Sequence, residues 1–429
     1  MVWLNCCISS HNCPAGSYSP ACPHIIFRKK YSCGTSFRLR KNPDTSRRVY
    51  AMNPSNIPKS TVIIAVQLFI LFLLTGSLCI KSREAASEDY FLAREDSESE
   101  SGETGEADYI RWVDFTVPAD VLKKAFRLDV ETCQADIHLN WIDLLAWLAA
   151  KYGGDFSRFS DADLNSLAEK LKSGASMEEL AADLPYYAYY KEAYTAVLGG
   201  MVGYFDEEID ASAQNPAAET SPAAGDDGSQ TAQEKTWVTK YGLKAFSPIA
   251  RDFPYSDYDD FGTSRSYGYT RKHLGHDMMG QVGTPVIAVE SGTVEALGWN
   301  QYGGWRIGIR SFDKKRYYYY AHLRKNYPYQ SDLEIGSTVT AGDVIGYLGR
   351  TGYSATENTN NISTPHLHFG LQLIFDESQK EGNGEIWIDC YELIKFLQMN
   401  KSRVYKVEGT KEWERVYGLK DPAVPVPES

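Results

Sequence analysis

Thr61–Ile80 reads TVIIAVQLFILFLLTGSLCI, twenty residues without a charge. At 1.5 Å per residue a helix of that length spans about 30 Å, the thickness of a bilayer core. A buried core helix usually keeps a polar stripe, and this run is apolar all round. It predicts a transmembrane helix. The charges around it are segregated. Residues 1–60 carry nine basic side chains (Arg28, Lys29, Lys30, Arg38, Arg40, Lys41, Arg47, Arg48, Lys59) and one acid, Asp44, a balance of about +8. The whole chain of 429 residues carries −12, so the remainder totals about −20. Basic before and acidic after orient the segment with its N-terminus cytoplasmic and the rest outside. A cleaved signal peptide is the rival reading, but KSREAAS after Ile80 offers a poor small-x-small site and the run is long for an h-region. The expectation is an uncleaved single-pass anchor in the cell membrane, with the lipid bilayer as partner of residues 61–80. The net negative charge argues against nucleic acid as a partner.

Cysteine adds little. Cys6, Cys7, Cys13, Cys22 and Cys33 crowd the start without any CxxC pair, and only Cys133 and Cys390 fall beyond the apolar run. That is no disulfide scaffold. Met52 precedes the apolar run by nine residues, so translation from Met52, with residues 1–51 upstream of the start, is an open alternative.

Beyond the membrane the chain divides by texture. Residues 81–108 hold ten acids and three bases among Ser, Gly and Ala, and read as a solvated acidic linker. From 109 to 205 the pattern is helical. Leu139, Ile142, Leu145, Ala146 and Ala149 recur at three- and four-residue spacing, and Leu164, Leu167, Ala168 and Leu171 repeat it. Ser160 with Asp163 marks a helix start and Gly174 a stop. These signs predict a small all-α domain, folding on its own, with a binding partner that the sequence leaves unknown. Its tyrosines, Tyr186 to Tyr194, favour helix packing over sugar stacking, and His138 reads as a capping or core residue. Residues 206–235, rich in Ala, Pro, Gly and acids, predict a flexible linker.

From 236 to 403 short β-like runs alternate with glycines: TPVIAV, GTVEALGW, GWRIGIRSF, RYYYYAHL, DVIGYLG, HLHFGLQL. That punctuation predicts a mainly β domain, with one helix over Trp387–Asn400. Residues 404–429 read as a loop-like tail. On RYYYYAHL, strand alternation places Tyr318 and Tyr320 on the face of His322 and leaves Tyr317 and Tyr319 to the core.

Five of the eight histidines lie in the β-rich part: His273, His276, His322, His366 and His368. In strands, His273 and Asp277 share a face, as do His366 and His368. Two imidazole nitrogens and one carboxylate oxygen from two strands, with a position left for water, is the donor pattern of a catalytic zinc site. His276, on the opposite face, reads as structural.

HLGHDMMGQVGTPVIAVESGTV, then YYAHL, then TAGDVIGYLGRTG and STPHLHFGLQL, in that order in one domain, resemble the lysostaphin-type zinc metallopeptidases, which cut peptide bonds in bacterial peptidoglycan. The resemblance covers about a third of the chain. It implies one zinc ion per chain, held by His273, Asp277 and His368. It also implies His366 as general base and His322 beside it, orienting water or stabilising the oxyanion, with Tyr267 a further candidate at the transition state. The family fold is a duplicated-hybrid-motif-like arrangement of antiparallel sheets whose strands floor a long groove. The whole is then a transmembrane helix, a small all-α domain and a mainly β peptidase domain: a membrane-anchored, extracytoplasmic zinc metalloendopeptidase acting on peptidoglycan stem or cross-bridge peptides. Two other readings stand beside it. One is a catalytically silent structural or regulatory protein of the cell wall or of sporulation; the other is a zinc peptidase acting on exported proteins.

Overall fold

The computed structural model of the chain describes residues 109–211, 234–266, 270–380 and 384–425. The expected membrane helix 61–80, the segments 1–60 and 81–108, residues 212–233 of the second linker and Tyr267 lie outside them. Among the described residues no helix is long and apolar enough to cross a membrane.

Five helices come first: α1 (Ala119–Thr132), α2 (Trp141–Tyr152), α3 (Asp161–Lys172), α4 (Met177–Ala181) and α5 (Tyr187–Leu198). Their ends follow local chemistry. The Asn140 side chain accepts hydrogen bonds from the backbone N–H groups of Ile142 and Asp143, and Ser160 accepts one from Ala162. Each satisfies donors that a helix start leaves unpaired. The expected start at Ser160 is where α3 begins. His138 is bound to the buried carboxylate of Asp129, at 2.9 Å, which also accepts from Trp141 N (2.8 Å) and Tyr241 Oη (2.6 Å). It is a structural residue.

The strands follow. They are β1 (Val202–Asp210), β2 (Lys235–Leu243), β3 (Ser264–Ser266), β4 (Thr270–Lys272), β5 (His276–Met279), β6 (Pro285–Ile287), β7 (Gly292–Asn300) and β8 (Gly304–Ser311). After them come β9 (Arg316–Ala321), β10 (Thr338–Val339), β11 (Val344–Tyr347), β12 (His366–Leu373) and β13 (Ile386–Ile388). Helix α6 (Tyr391–Leu397) then precedes β14 (Val404–Lys406), β15 (Trp413–Arg415) and β16 (Leu419–Lys420). One antiparallel sheet runs β10-β7-β8-β9-β12-β13, with β5 pairing β12. Smaller ribbons pair β6 with β11, β3 with β4 and β14 with β15, while β1 lies between β16 and β2.

Four expectations change here. The second linker is shorter than 206–235, because β1 and β2 pair from Val202↔Leu243 to Asp210↔Lys235. The tail after 403 holds three short strands, and the helix expected over 387–400 spans only Tyr391–Leu397. The helical region is also not a separate body. Trp141 of α2 stacks on Phe396 of α6 at 5.6 Å, and Phe126 of α1 meets the same ring edge-on at 5.7 Å. Buried residues from Val113 to Leu397 form one continuous apolar cluster. Aromatic area of this size, once buried against a partner, outweighs any tendency of the helices to stand alone.

A charge network locks the two parts together. Arg316 is fully buried; its Nε and Nη2 donate to Glu290 (2.7 and 3.0 Å), Nη2 also to Asp313 (2.7 Å), and Nη1 to the Ala196 carbonyl near the end of α5 (2.9 Å). Tyr318 Oη donates to the same Glu290 at 2.7 Å. The guanidinium thus caps helix carbonyls that a C-terminus leaves unpaired. Removing one partner strands a buried charge, so Arg316→Met is expected to destabilise by about 3–5 kcal/mol. Adding Glu290→Gln should recover part of that loss. Denaturant unfolding of both variants checks it; a loss under about 1 kcal/mol would show that the network is incidental.

Candidate metal centre

The site is built on β12. Its register sets His368 opposite Asp277 of β5 on one side and opposite Ala321 of β9 on the other. Cross-strand partners share a face, so Asp277, His366, His368, Ala321 and Tyr319 all look the same way. His273 arrives differently from the expectation of one continuous strand. β4 ends at Lys272 and β5 starts at His276, so His273 lies in the connecting bend. Its N–H donates to Thr263 O (2.9 Å) and its carbonyl accepts from Gly262 N (2.7 Å). Gly275 completes the bend. A Cβ there would lie 2.5 Å from Cε1 of His368 and 2.7 Å from the Phe369 carbonyl. Only a residue without a side chain lets the bend close over His368.

Three ligand atoms converge. His273 Nε2 lies 3.0 Å from Asp277 Oδ1 and 2.9 Å from His368 Nδ1, and the last two are 3.0 Å apart. Bonds of about 2.0–2.1 Å in a tetrahedron set donors about 3.3 Å apart. The triangle fits a zinc ion with a small relaxation. His273 Nδ1 faces the Asp260 carbonyl and Asp260 Oδ2, each at 3.2 Å, and Arg265 donates to that carboxylate at 2.5 Å. An acceptor behind a ligating imidazole fixes its orientation and tautomer. Asp260 carries no spacing cue and was not among the expected site residues.

Electrostatics suit the donor set. Burial works against an ionised Asp277, but the His273 and His368 imidazoles beside it outweigh that and hold the carboxyl below the usual range. Burial pushes His368 down despite the opposing carboxylate, so its imidazole stays neutral, the form that ligates.

Two more imidazoles close the site. His366 Nδ1 donates to the Thr364 carbonyl at 2.8 Å, which turns Nε2 towards the site, 3.7 Å from Asp277 Oδ1. His322 Nδ1 donates to the Thr351 carbonyl at 2.9 Å, and its ring centre is 4.7 Å from that of His366. Burial first, then the neighbouring His366 and His368, drive His322 well below the ordinary histidine value, so it is neutral. All five expected residues, His273, Asp277, His322, His366 and His368, are brought together. His276 is turned to the other face and held by Asp257 at 2.9 Å.

The tyrosines are the correction. Tyr318 and Tyr320 are fully buried, donating to Glu290 and accepting from Val289 N, whereas Tyr319 stands beside His368 with ring centres 5.9 Å apart. The reason is His322. Its φ is 61°, in the left-handed region, just past the end of β9. That turn breaks alternation and delivers the imidazole to the face of Tyr317 and Tyr319. Tyr353 was also missed; it comes from a separate loop, lies 5.8 Å from the His322 ring and accepts from Arg271 Nη2 at 2.7 Å.

An antiparallel sheet bearing a histidine–aspartate–histidine triangle with two free imidazole nitrogens defines a metallopeptidase-like centre. Residues 271–381 match Peptidase family M23, so this segment is an M23 peptidase domain of the lysostaphin type. An L-Ala--D-Glu endopeptidase of Bacillus subtilis is 38% identical over 124 residues, 29% of this chain and 36% of that protein. Lysostaphin of Staphylococcus simulans is 39% identical over 98 residues, 23% of this chain and 17% of its own length. The chain therefore spans well under two thirds of these relatives. Among solved structures, the catalytic domain of lysostaphin from Staphylococcus simulans aligns with a TM-score of 0.26 at 31% identity, over 33% of this chain and 92% of that one.

Proposed function

We propose that the chain is a zinc metalloendopeptidase that hydrolyses peptide bonds in peptidoglycan stem or cross-bridge peptides. The observation that carries this is the triangle of His273, Asp277 and His368 flanked by the imidazoles of His322 and His366. Those three residues would hold the zinc ion. Zinc held there supplies Lewis acidity, polarising a carbonyl and acidifying water. His366, its Nδ1–H committed to Thr364, offers Nε2 to take the proton of the attacking water and to return it to the leaving amine. His322, neutral and fixed through Thr351, offers a second acceptor that orients that water. The likeness of residues 271–381 to an L-Ala--D-Glu endopeptidase and to a protein named a peptidoglycan DD-endopeptidase supports peptidoglycan as the substrate.

The same proposal places the chain in the cell membrane through residues 61–80, with the catalytic domain outside. The charge segregation around that run supports it. The test is incubation of the full chain with purified peptidoglycan and identification of newly exposed amines by mass spectrometry. Chelator should stop their release and zinc restore it. A reporter fused after Asp108 should be active only outside the cytoplasm. An untouched wall with zinc fully bound would remove the endopeptidase reading, and cytoplasmic reporter activity would reverse the topology.

A further inference from the structure

The metal centre opens onto a cavity of about 280 Å³ that shares His368 and Tyr319 with it. The cavity follows the site face of the sheet. Tyr319 leads into it, with its ring 5.9 Å from His368 on one side and 6.1 Å from Trp387 on the other. The walls lie over glycines. A Cβ at Gly370 would meet the Trp387 ring at 2.7 Å, and one at Gly308 would fall within the Tyr317 phenol. The trough thus exists because β8 and β12 carry no side chain at those two points.

Its charge is one-sided. Among the described residues Arg271, Lys272, Arg306 and Lys380 line it, against one acid, Glu385, whose Oε2 accepts from Trp387 Nε1 at 2.7 Å. In a chain of net charge −12 this is a local reversal. Of the four cations only Lys380 has a carboxylate partner among the described residues, Glu295 at 2.7 Å. The Nε atoms of Arg271 and Arg306 are buried and make no hydrogen bond. Arg271 makes one hydrogen bond, from Nη2 to Tyr353 Oη, and lies over the Tyr302 and Tyr353 rings at 5.6 and 5.4 Å, whereas the Arg306 guanidinium has no hydrogen-bond or ion-pair partner among the described residues. Guanidinium donors left unpaired in a partly dry trough cost free energy until an anion arrives. A planar carboxylate is the anion that the guanidinium fork matches.

We propose that this trough receives a substrate carboxylate, so that the chain selects peptides with an acidic residue beside the bond it cuts. The inference rests on the endopeptidase reading above and names the substrate class for that site. A glycine-only bridge, lacking a side-chain carboxylate, would leave Arg306 unpaired and be a poor substrate.

The test uses the full zinc-loaded chain and two probes, an L-Ala–γ-D-Glu–L-Lys peptide and the same peptide with the glutamate carboxyl amidated. The free acid should be cut with a kcat/KM about tenfold to a hundredfold higher, the worth of a hydrogen bond to a charged group. Arg306→Gln should remove that advantage and change the amidated peptide less than about twofold. Arg306→Lys should restore part of it. Lys272→Gln, at an exposed position, repeats the test without disturbing packing. No preference in the wild type, or equal losses on both peptides, overturns the proposal. If neither peptide is cut, the endopeptidase reading is what fails for this bond. Calorimetric binding of the same two peptides then decides the trough: tighter binding of the acid supports it, and equal binding rejects it.

Discussion

Alanine at His273 or at His368 is expected to reduce the zinc content of the purified chain from about one per chain to near zero, and to abolish peptide hydrolysis. The two nitrogens lie 2.9 Å apart and each is 3.0 Å from Asp277 Oδ1, so every ligand is one corner of a three-donor set with no spare. Among the described residues this is the grouping with metal-ligand geometry. Removing a corner leaves two protein donors, below the three that hold catalytic zinc. Elemental analysis after dialysis reads the result directly. Stoichiometric zinc in either variant would mean that other residues hold the metal.

His366→Ala is expected to do the opposite at the metal and nearly as much to the reaction. Zinc should stay at about one per chain while turnover falls about 10²–10⁴-fold, the usual worth of a positioned base. The geometry separates the two roles. His366 Nε2 is 3.7 Å from Asp277 Oδ1, outside the triangle, and its Nδ1–H is spent on Thr364. His322→Ala should fall in the same range, because its acceptor serves the same water. The double variant should lose little more than the worse single one, since groups acting on one proton are not additive. An empty site in His366→Ala would show that this imidazole ligates, and that the two histidines of β12 have their roles exchanged.

Much of the site was legible because it is local. His366 and His368 are two apart on a strand, and a period of two puts them on one face in any strand. His273 and Asp277 are four apart, and they meet even though a bend, not one strand, joins them. The helix start at Ser160 is equally local, since a cap needs only its own side chain and the next turn. The tyrosines were misread because alternation was carried one residue too far, past Ala321 and through a left-handed His322. That conformation is uncommon for a residue with a side chain and is imposed from outside, by hydrogen bonds to Gly303 O at the backbone and to Thr351 O at the ring.

The sequence by itself determined that His273 and Asp277 form one pair and His366 and His368 another, the mainly β character of residues 236–403 and the helical character of residues 119–198. These depend on periodicity and short spacings, which act along the chain, while the choice of ligands among the four followed from the family resemblance. The tertiary structure decided what surrounds them. It docked the helices on α6 through Trp141 and Phe396, set Asp260 behind His273, and gathered Arg271 and Arg306 beside His368 without neutralising them. Apolar periodicity says that a face is buried but not against what, and a lone arginine or aspartate has no period at all. Their partners come from residues 13 to more than 200 positions away, on separate helices, turns and ribbons, and only the packing of those elements against one another brings them within reach.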